Sequence, residues 1–263
     1  MEHRGYLEWE GKDNGIFYRE DVPANGGRFT VLFLHGQKFS SQTWDDLGTL
    51  KFLAAHDYRV VAVDLPGYVK SKDAEQPRTS EERSAFLKKF MEKLKIDRPV
   101  LVSPSMSGSY ALPFIFEGDQ GKHLRGYVPV APVGTDKFEE SDYKELQLPT
   151  LVIYGENDSA LGVSSLRRLR NIPNSVVHMM KSAGHACYFA NPEEFHEKIL
   201  TFLRRFSQHP EYLYNVIESG KMDNYDIPRY MRALQPDKAS AWKLMVIDQV
   251  DNEYFVHLYY KML

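Results

Sequence analysis

The residues of this sequence that could do chemistry together are a serine, a carboxylate and a histidine, each placed just after a predicted strand. The serine comes from VSPSMSGSY, residues 102–110, which has a serine at every second position from 103 to 109. The carboxylate comes from YGEND, residues 154–158, and the histidine from SAGH, residues 182–185. A histidine that is oriented by an acid can take the proton of a serine hydroxyl and so make it a nucleophile.

The serine-rich segment predicts a sharp turn between a strand and a helix, with Ser107 as the reactive residue. Such a turn needs small residues two positions before and two positions after the exposed side chain. Ser105 and Ser109 supply them and Gly108 follows directly, so the G-x-S-x-G pattern occurs here as S-x-S-x-S. On this interpretation Ser103 and Ser105 are structural. The segment alone leaves open a serine-rich turn and helix cap without chemistry.

Asp158 and His185 are the partners that we expect for Ser107. Asp158 would orient the imidazole; Glu156 is its near rival, and an Asx turn or helix cap is the alternative without chemistry. His185 lies on a glycine-containing loop before the last predicted helix, and it would act first as general base and then as general acid. His35 follows the first predicted parallel strand and is expected to brace its own loop.

Two backbone N–H groups, those of Gln37 and Gly108, are expected to form the oxyanion hole that stabilises the developing negative charge. Lys38 lies beside this site in the sequence and could attract an anionic co-substrate. A solvated surface lysine is an equally good interpretation. The segment between the sixth and seventh predicted strands, residues 134–147, is too short for a large lid, so we expect an open, shallow site.

The elements that must position these residues alternate between short apolar runs and helical patterns up to about residue 206. The apolar runs are residues 29–34, 58–63, 99–102, 124–130, 150–154 and 175–180. Near-continuous apolar strands of this kind are typical of a sheet that is covered on both faces. The alternation predicts an α/β fold, with a doubly wound, mostly parallel twisted sheet and right-handed crossovers.

Three further segments carry local signals for a hairpin or for the start of a helix. Residues 5–11 and 15–20 predict an antiparallel hairpin that turns at Asp13-Asn14-Gly15. A helix over residues 80–94 is expected to start with Ser80 as its N-cap, and another to start at Asn191-Pro192.

The domain organisation that we predict is a catalytic domain over residues 1–206 and a C-terminal extension over residues 207–263. The extension begins as a polar, tyrosine-rich linker and ends in two strands around Asp251-Asn252. Because an isolated hairpin is marginally stable in water, we expect it to pack on the domain or on a partner.

Composition narrows the class of protein and its partners. The chain of 263 residues is 43% hydrophobic and has a formal net charge of −3, which favours a globular protein and gives no reason to expect nucleic acid as a partner. No apolar run reaches the roughly 18 residues that span a bilayer, and the N-terminus does not have a signal-peptide pattern. With Cys187 as the single cysteine, no internal disulfide can form. We expect no metal and no membrane association, and a cytoplasmic location, with the nucleus as a second compartment.

The sequence resembles the α/β-hydrolase superfamily over residues 5–206, through LFLHG at 32–36, VVAVDLPG at 60–67 and the three motifs above. It looks closest to the abhydrolase domain-containing protein 14 subfamily and to its B-type branch. This resemblance implies a serine hydrolase of short acyl esters, with Ser107, Asp158 and His185 as nucleophile, acid and base. Val69 departs from the pattern, because the loop after Asp64 usually has a second glycine there.

The B-type branch further implies a proposed protein-lysine deacetylase that transfers the acyl group to coenzyme A. Coenzyme A would then be a co-substrate, and no cofactor would be resident. Two other interpretations stay open. One is a simple short-chain carboxylesterase. The other is a catalytically silent scaffold that binds a protein partner or associates with itself through the C-terminal extension, for which the resemblance offers no counterpart.

Overall fold

The structure is a computed structural model that describes residues 1–117, 121–207, 243–250 and 253–260. Eight of its strands form one sheet: β1 (Glu2–Trp9), β2 (Lys12–Asp21), β3 (Thr30–Phe33), β4 (Arg59–Val63), β5 (Val100–Pro104), β6 (Gly126–Val130), β7 (Thr150–Gly155) and β8 (Ser175–Met180). The helices are α1 (Ser41–Asp46), α2 (Thr49–Ala54), α3 (Ser80–Lys93), α4 (Gly108–Phe116), α5 (Glu140–Glu145), α6 (Leu161–Leu169) and α7 (Pro192–Ser207).

The strand order in the sheet is β1-β2-β4-β3-β5-β6-β7-β8. The pairs from β4 through β3, β5, β6 and β7 to β8 are parallel, whereas β1 with β2 and β2 with β4 are antiparallel. This topology confirms the predicted α/β class, with a mostly parallel sheet and an antiparallel N-terminal hairpin. The chain crosses from β3 to β4 on one side and returns to β5 on the other side of β3. Ligands of open parallel sheets bind where the strand order reverses in this way.

The central strands are buried along their whole length, as their apolar sequences predict. Every residue of β3, β5 and β6 is buried. The expectation fails for β8, where Val176, Val177 and Met179 are 46%, 43% and 36% exposed. The reason is its place at the end of the sheet, where β7 is its one neighbouring strand in the described structure.

The N-terminal hairpin turns at Glu10-Gly11 and not at the predicted Asp13-Asn14-Gly15. Glu10 and Gly11 have φ angles of 52° and 76°. A two-residue hairpin turn of the favoured type needs positive φ at both central residues, and glycine at the second position meets that need without strain. Residues 13–15 belong to β2.

The two long helices begin with the signals that the sequence contains. α3 is capped by Thr79, one residue before the predicted Ser80, in a capping box with Glu82. α7 begins at Pro192, and the Asn191 side chain accepts a hydrogen bond from the backbone N–H of Glu194. Within the part of the chain that the structure describes, no helix is both long enough and apolar enough to cross a membrane.

The described residues divide into two units, one up to residue 203 and one that begins at residue 204. In the second unit, β9 (Lys243–Val250) and β10 (Glu253–Tyr260) pair in antiparallel fashion, which confirms the predicted pair of strands. The predicted turn at residues 251–252 and most of the predicted linker, residues 208–242, lie outside the described residues. How the extension packs stays a prediction.

Candidate active site

The carboxyl ends of four parallel strands supply the candidate site. β3 leads to residues 35–39, β5 to Ser105, β7 to Asp158 and β8 to His185. Because parallel strands end at the same edge of a sheet, segments that are distant in sequence meet there. Little covers this edge between β6 and β7, where the structure has one 3₁₀ turn and the six-residue α5. The prediction that this segment carries no large lid is confirmed.

His185 joins the serine segment to an acid. Its Nδ1 lies 2.6 Å from Oδ2 of Asp158, and its Nε2 lies 2.8 Å from Oγ of Ser105. A carboxylate can only accept, so Nδ1 carries the proton and Nε2 is free to accept the serine hydroxyl. Asp158 is 6% exposed, whereas the His185 side chain is 39% exposed. The orienting acid is thus shielded from water, while the imidazole faces an open entrance.

The serine that contacts His185 is Ser105. The prediction that Ser107 lies beside this histidine is wrong. Ser107 is fully buried, and its hydroxyl donates to the carbonyl oxygen of Pro104 at 2.8 Å. Ser105 follows the last residue of β5 and has a φ of +50°, the left-handed region that non-glycine residues rarely adopt. A strained strand-to-helix turn of this kind exposes the nucleophile of G-x-S-x-G proteins at the top of the sheet.

The flanking serines are therefore Ser103 and Ser107. Both are fully buried, and the Ser103 hydroxyl lies 2.8 Å from the hydroxyl of Tyr127 on β6. The sequence does not single out Ser105, because an alternation of serines fits the small-residue rule equally well when it is centred at 105 or at 107. The structure distinguishes the two by position, because β5 ends at Pro104, two residues beyond the predicted end of this strand, and Ser105 follows directly.

The choice of Asp158 over Glu156 agrees with the geometry. The Glu156 carboxylate accepts the backbone N–H of Ser182 at 2.8 Å. It holds the start of the loop that carries His185, whereas Asp158 contacts the imidazole itself.

Of the two backbone N–H groups predicted to form the oxyanion hole, that of Gly108 is not available. Its N–H donates to the carbonyl oxygen of Ser105 within the first helical turn. With Ser105 as the central residue, the N–H that follows it belongs to Met106, which is the position that the fold type uses. Gln37, the other expected donor, lines the same cavity as Ser105 and His185.

His35 fixes the peptide group that carries the Gln37 N–H. The carbonyl oxygen of Gly36 lies 2.9 Å from Nδ1 of His35 and also accepts the backbone N–H of Phe39. In a trans peptide the N–H points away from the C=O, so the Gln37 N–H faces the opposite side. Nε2 of His35 accepts the N–H of Leu65, and burial lowers the pKa of His35, which keeps the ring neutral. The expectation that His35 braces its loop agrees with these contacts.

A cavity of about 180 Å³ opens beside Ser105 and His185. Four segments line it: residues 36–39, Pro104 and Ser105, Val130 at the end of β6, and finally His185, Ala186 and Tyr188. Lys38 is an exposed residue of this wall. Cys187 is fully buried, and burial raises its pKa to about 12, so its thiol stays protonated and is no rival nucleophile.

Several known proteins resemble this chain in sequence. A model of the alpha/beta hydrolase family matches residues 31–137. Protein ABHD14A of Danio rerio is 44% identical over 199 residues, which cover 73% of this chain and 73% of the relative. ABHD14B of Rattus norvegicus, named as a proposed protein-lysine deacylase, is 45% identical over 200 residues, which cover 74% of this chain and 94% of the relative.

The fold is shared more widely than the sequence. The crystal structure of a CIB-like hydrolase from Thermoplasma acidophilum superposes with a TM-score of 0.69 at 22% identity, over 78% of this chain and 99% of the other. At this identity the likeness concerns the fold, which is the α/β-hydrolase fold that the sequence motifs imply.

Proposed function

Because the chain belongs to the ABHD14 family of α/β-hydrolases, we propose that it is a serine hydrolase that forms a short-chain acyl-enzyme on Ser105. The observation that carries the proposal is the unbroken chain of contacts from Ser105 through His185 to Asp158. A catalytically silent scaffold has no need of a strained serine, an oriented imidazole and a shielded carboxylate at one edge of its sheet.

The mechanism follows from the positions of these groups. Oγ of Ser105 attacks the acyl carbonyl while Nε2 of His185 takes the hydroxyl proton, and the backbone N–H groups of Gln37 and Met106 would stabilise the oxyanion. When the bond to the leaving group breaks, His185 returns that proton to the leaving oxygen or nitrogen. The acyl group is then an ester of Ser105. A water or thiol, deprotonated by His185, attacks this ester and regenerates the free serine.

The acyl group that fits is short. The cavity, whose walls include the nearly fully buried Val130 and Tyr188, has a volume of about 180 Å³, which favours a short acyl group over a long lipid chain. Because no large lid stands over the entrance, the rest of the substrate can be bulky. A small acyl group on a large carrier, such as an acetylated lysine of a protein, suits this shape, and it agrees with the activity that the name of the ABHD14B relative proposes.

Coenzyme A is the acyl acceptor that we propose beside water. Lys38 supports it, since an exposed ammonium group at the wall of the cavity can attract phosphates. The second candidate is a simple carboxylesterase that uses water alone, which the small, largely apolar cavity favours equally.

The decisive test of the serine is labelling with a fluorophosphonate probe, which reacts with activated serines. We expect labelling of the wild-type protein and none of Ser105→Ala, together with a loss of at least about a thousandfold in kcat for a short ester. Ser107→Ala is the matched control, because it removes a hydroxyl of the same turn that does not contact His185. Labelling that survives in Ser105→Ala and disappears in Ser107→Ala would show that Ser107 is the nucleophile.

The acceptor needs a separate experiment. The wild-type protein is incubated with an acetyl-lysine peptide, with and without coenzyme A, and acetyl-CoA is measured by mass spectrometry. Formation of acetyl-CoA that is lost in Ser105→Ala supports the transferase. Release of acetate alone, unaffected by coenzyme A, supports the esterase. Lys38→Ala should raise the KM for coenzyme A and leave the hydrolysis of a neutral ester unchanged if the lysine binds the phosphates.

A further inference from the structure

Aromatic side chains lead from the candidate site to the surface of the protein. Phe39 lines the cavity, and its ring centroid lies 5.2 Å from that of Phe189. The centroid of the Phe189 ring also lies 5.1 Å from that of Tyr188, a second residue of the cavity wall. Tyr188 is 2% exposed, whereas Phe189 is 47% exposed. The aromatic surface therefore continues from the wall of the cavity into solvent.

The inner end of this aromatic surface lies close to the candidate nucleophile. A Cβ placed on Gly36 would lie 3.2 Å from Cδ2 of Phe39 and 3.6 Å from Cβ of Ser105. A single atom position is thus near both residues, which places the edge of the Phe39 ring close to Ser105. The loop is fixed there, because the backbone N–H of Phe39 donates to the carbonyl oxygen of Gly36 at 3.0 Å.

The outer end of the surface is Phe189, which ends the 3₁₀ turn Cys187–Phe189. The two residues before it in this turn are buried. Among the large hydrophobic side chains that are exposed in the described part of the chain, Phe189 is the one phenylalanine. A phenyl ring that stays in water forgoes the free energy of burial, and a partner that covers it would recover part of that free energy.

The small cavity and the exposed ring divide a substrate between them. The cavity of about 180 Å³ takes the short acyl group, whose carbonyl Ser105 attacks. The rest of the substrate is the leaving group, and it has to stay outside because the space beside Ser105 is small. It therefore lies over the rim of the cavity, to which Phe39 and Phe189 contribute their rings.

We propose that Phe189, together with Phe39, binds the leaving group, so that the protein prefers carriers with an aromatic or other large apolar group close to the bond that breaks. In an acetylated protein, this group is a large apolar side chain near the acetyl-lysine. The inference rests on the proposed function, because it assigns the leaving-group side of the same site. Phe189 contacts the carrier and not the reacting atoms, so it is a specificity-determining residue rather than a catalytic one.

The test uses two acetate esters that differ only in the leaving alcohol, 2-phenylethyl acetate and 2-methoxyethyl acetate. Because both have the same acetyl group, contacts inside the cavity cancel in the comparison. Each kcat/KM is divided by the rate constant of hydrolysis by hydroxide, which removes differences in intrinsic reactivity. We expect the wild-type protein to prefer the phenylethyl ester by about tenfold or more. Phe189→Ala should reduce the preference to about threefold or less, and Phe189→Leu, which keeps an apolar side chain, should retain more of it.

Tyr6→Ala is the matched control, since Tyr6 is a 42% exposed aromatic residue of β1 that does not line the cavity. It should keep the wild-type ratio, and melting temperatures show that each variant folds. If Phe189→Ala lowers kcat/KM equally for both esters, the ring only supports the cavity wall and the inference is wrong. An unchanged ratio would overturn it as well, and loss of a dimer on size-exclusion chromatography would then identify a second copy of the chain as the group that covers Phe189.

The same measurements separate this inference from the proposed function. Hydrolysis of both esters by the wild-type protein without a preference would overturn the inference alone. No hydrolysis of either ester, together with no labelling of Ser105, would overturn the proposed function and the inference with it.

Discussion

Nδ1 of His185 lies 2.6 Å from Oδ2 of Asp158, and the same carboxylate is 6% exposed. A shielded acceptor at this distance holds the imidazole in the tautomer that leaves Nε2 free for Ser105. Asp158→Asn should therefore lower kcat by about 10⁴, because an amide can donate to the ring and favour the wrong tautomer. Steady-state kinetics with a short p-nitrophenyl ester measure the loss, with KM little changed.

Glu156→Gln is the control for that variant, since Glu156 lies two residues earlier on the same loop. Its carboxylate bonds a backbone N–H and not the imidazole, so the substitution should lower kcat by less than about tenfold. Equal losses in the two variants would mean that both acids act by holding the loop, and the orienting role of Asp158 would be lost.

The spacing of residues in the sequence predicts part of the candidate site. Asp158 and His185 were predictable, because each follows its own parallel strand and the ends of such strands meet. Ser105 was not, because the choice between serines two positions apart depends on a backbone angle. The positive φ of Ser105 is a property of the folded turn, and alternating serines carry no mark of it. The error at Gly108 followed from the error at Ser107.

Val69 is a β-branched residue with a φ of +39°, at the position where the family pattern has glycine. Strain of this kind costs about 1–3 kcal/mol, whereas the extra unfolded-state entropy of glycine costs about 0.5–1 kcal/mol. The Val69 side chain is 55% exposed, so little burial is lost when it is removed. Val69→Gly should therefore raise the free energy of unfolding by about 1 kcal/mol, as measured by urea denaturation.

Val69→Ala separates the causes of that gain. Alanine removes the branch but keeps Cβ, so it should recover less than glycine does. A destabilised Val69→Gly variant would show that the loop needs the side chain. The loop has a structural task, since the N–H of Lys70 and the N–H of Ser41 both donate to the buried carboxylate of Asp64.

The burial of His196 makes the free energy of unfolding depend on pH. It is 6% exposed, with Nε2 2.8 Å from Oγ1 of Thr49, and burial lowers its pKa to about 4. The unfolded chain binds this proton near pH 6.5, so between about pH 6.5 and 4 the unfolded state holds more protons than the folded state. The contribution of His196 to the free energy of unfolding is complete above pH 6.5 and is lost as the pH falls through this range. His35, whose pKa burial also lowers, contributes with the same sign.

His196→Gln should flatten this dependence, because glutamine can still bond Thr49 but does not titrate. The slope of unfolding free energy against pH between 6.5 and 4 should decrease by about 1 kcal/mol per pH unit at most. The comparison is made with the slope, because the variant also loses the ring contact with Phe52 and starts from a lower stability at pH 7. An unchanged slope would mean that His196 is protonated in the folded state as readily as in the unfolded one.

The fold was more predictable than its details for a physical reason. Apolar runs fix which segments are strands, because burial of such runs is the dominant favourable term in folding. They do not tell a central strand from an edge strand, since β8 has as apolar a sequence as its neighbour β7, although Val176, Val177 and Met179 are exposed. They also do not place a turn. Asp13-Asn14-Gly15 has the stronger turn composition, but the chain turns at Glu10-Gly11, where the strand pairing requires it.

Gly155 lies where the loops that carry Asp158 and His185 pass each other. A Cβ at this position would lie 2.1 Å from the carbonyl oxygen of Gly184 and 2.5 Å from that of Ala183, closer than atoms can approach. Gly155→Ala must therefore push the two loops apart, and a shift of about 1 Å can cost about a hundredfold in rate. We expect kcat to fall by that order and the melting temperature to fall with it. Gly184→Ala is the control, because a Cβ there would meet nothing within 4 Å, and its kcat should stay within a few-fold of the wild type. Equal activity in the two variants would contradict the close approach of these loops.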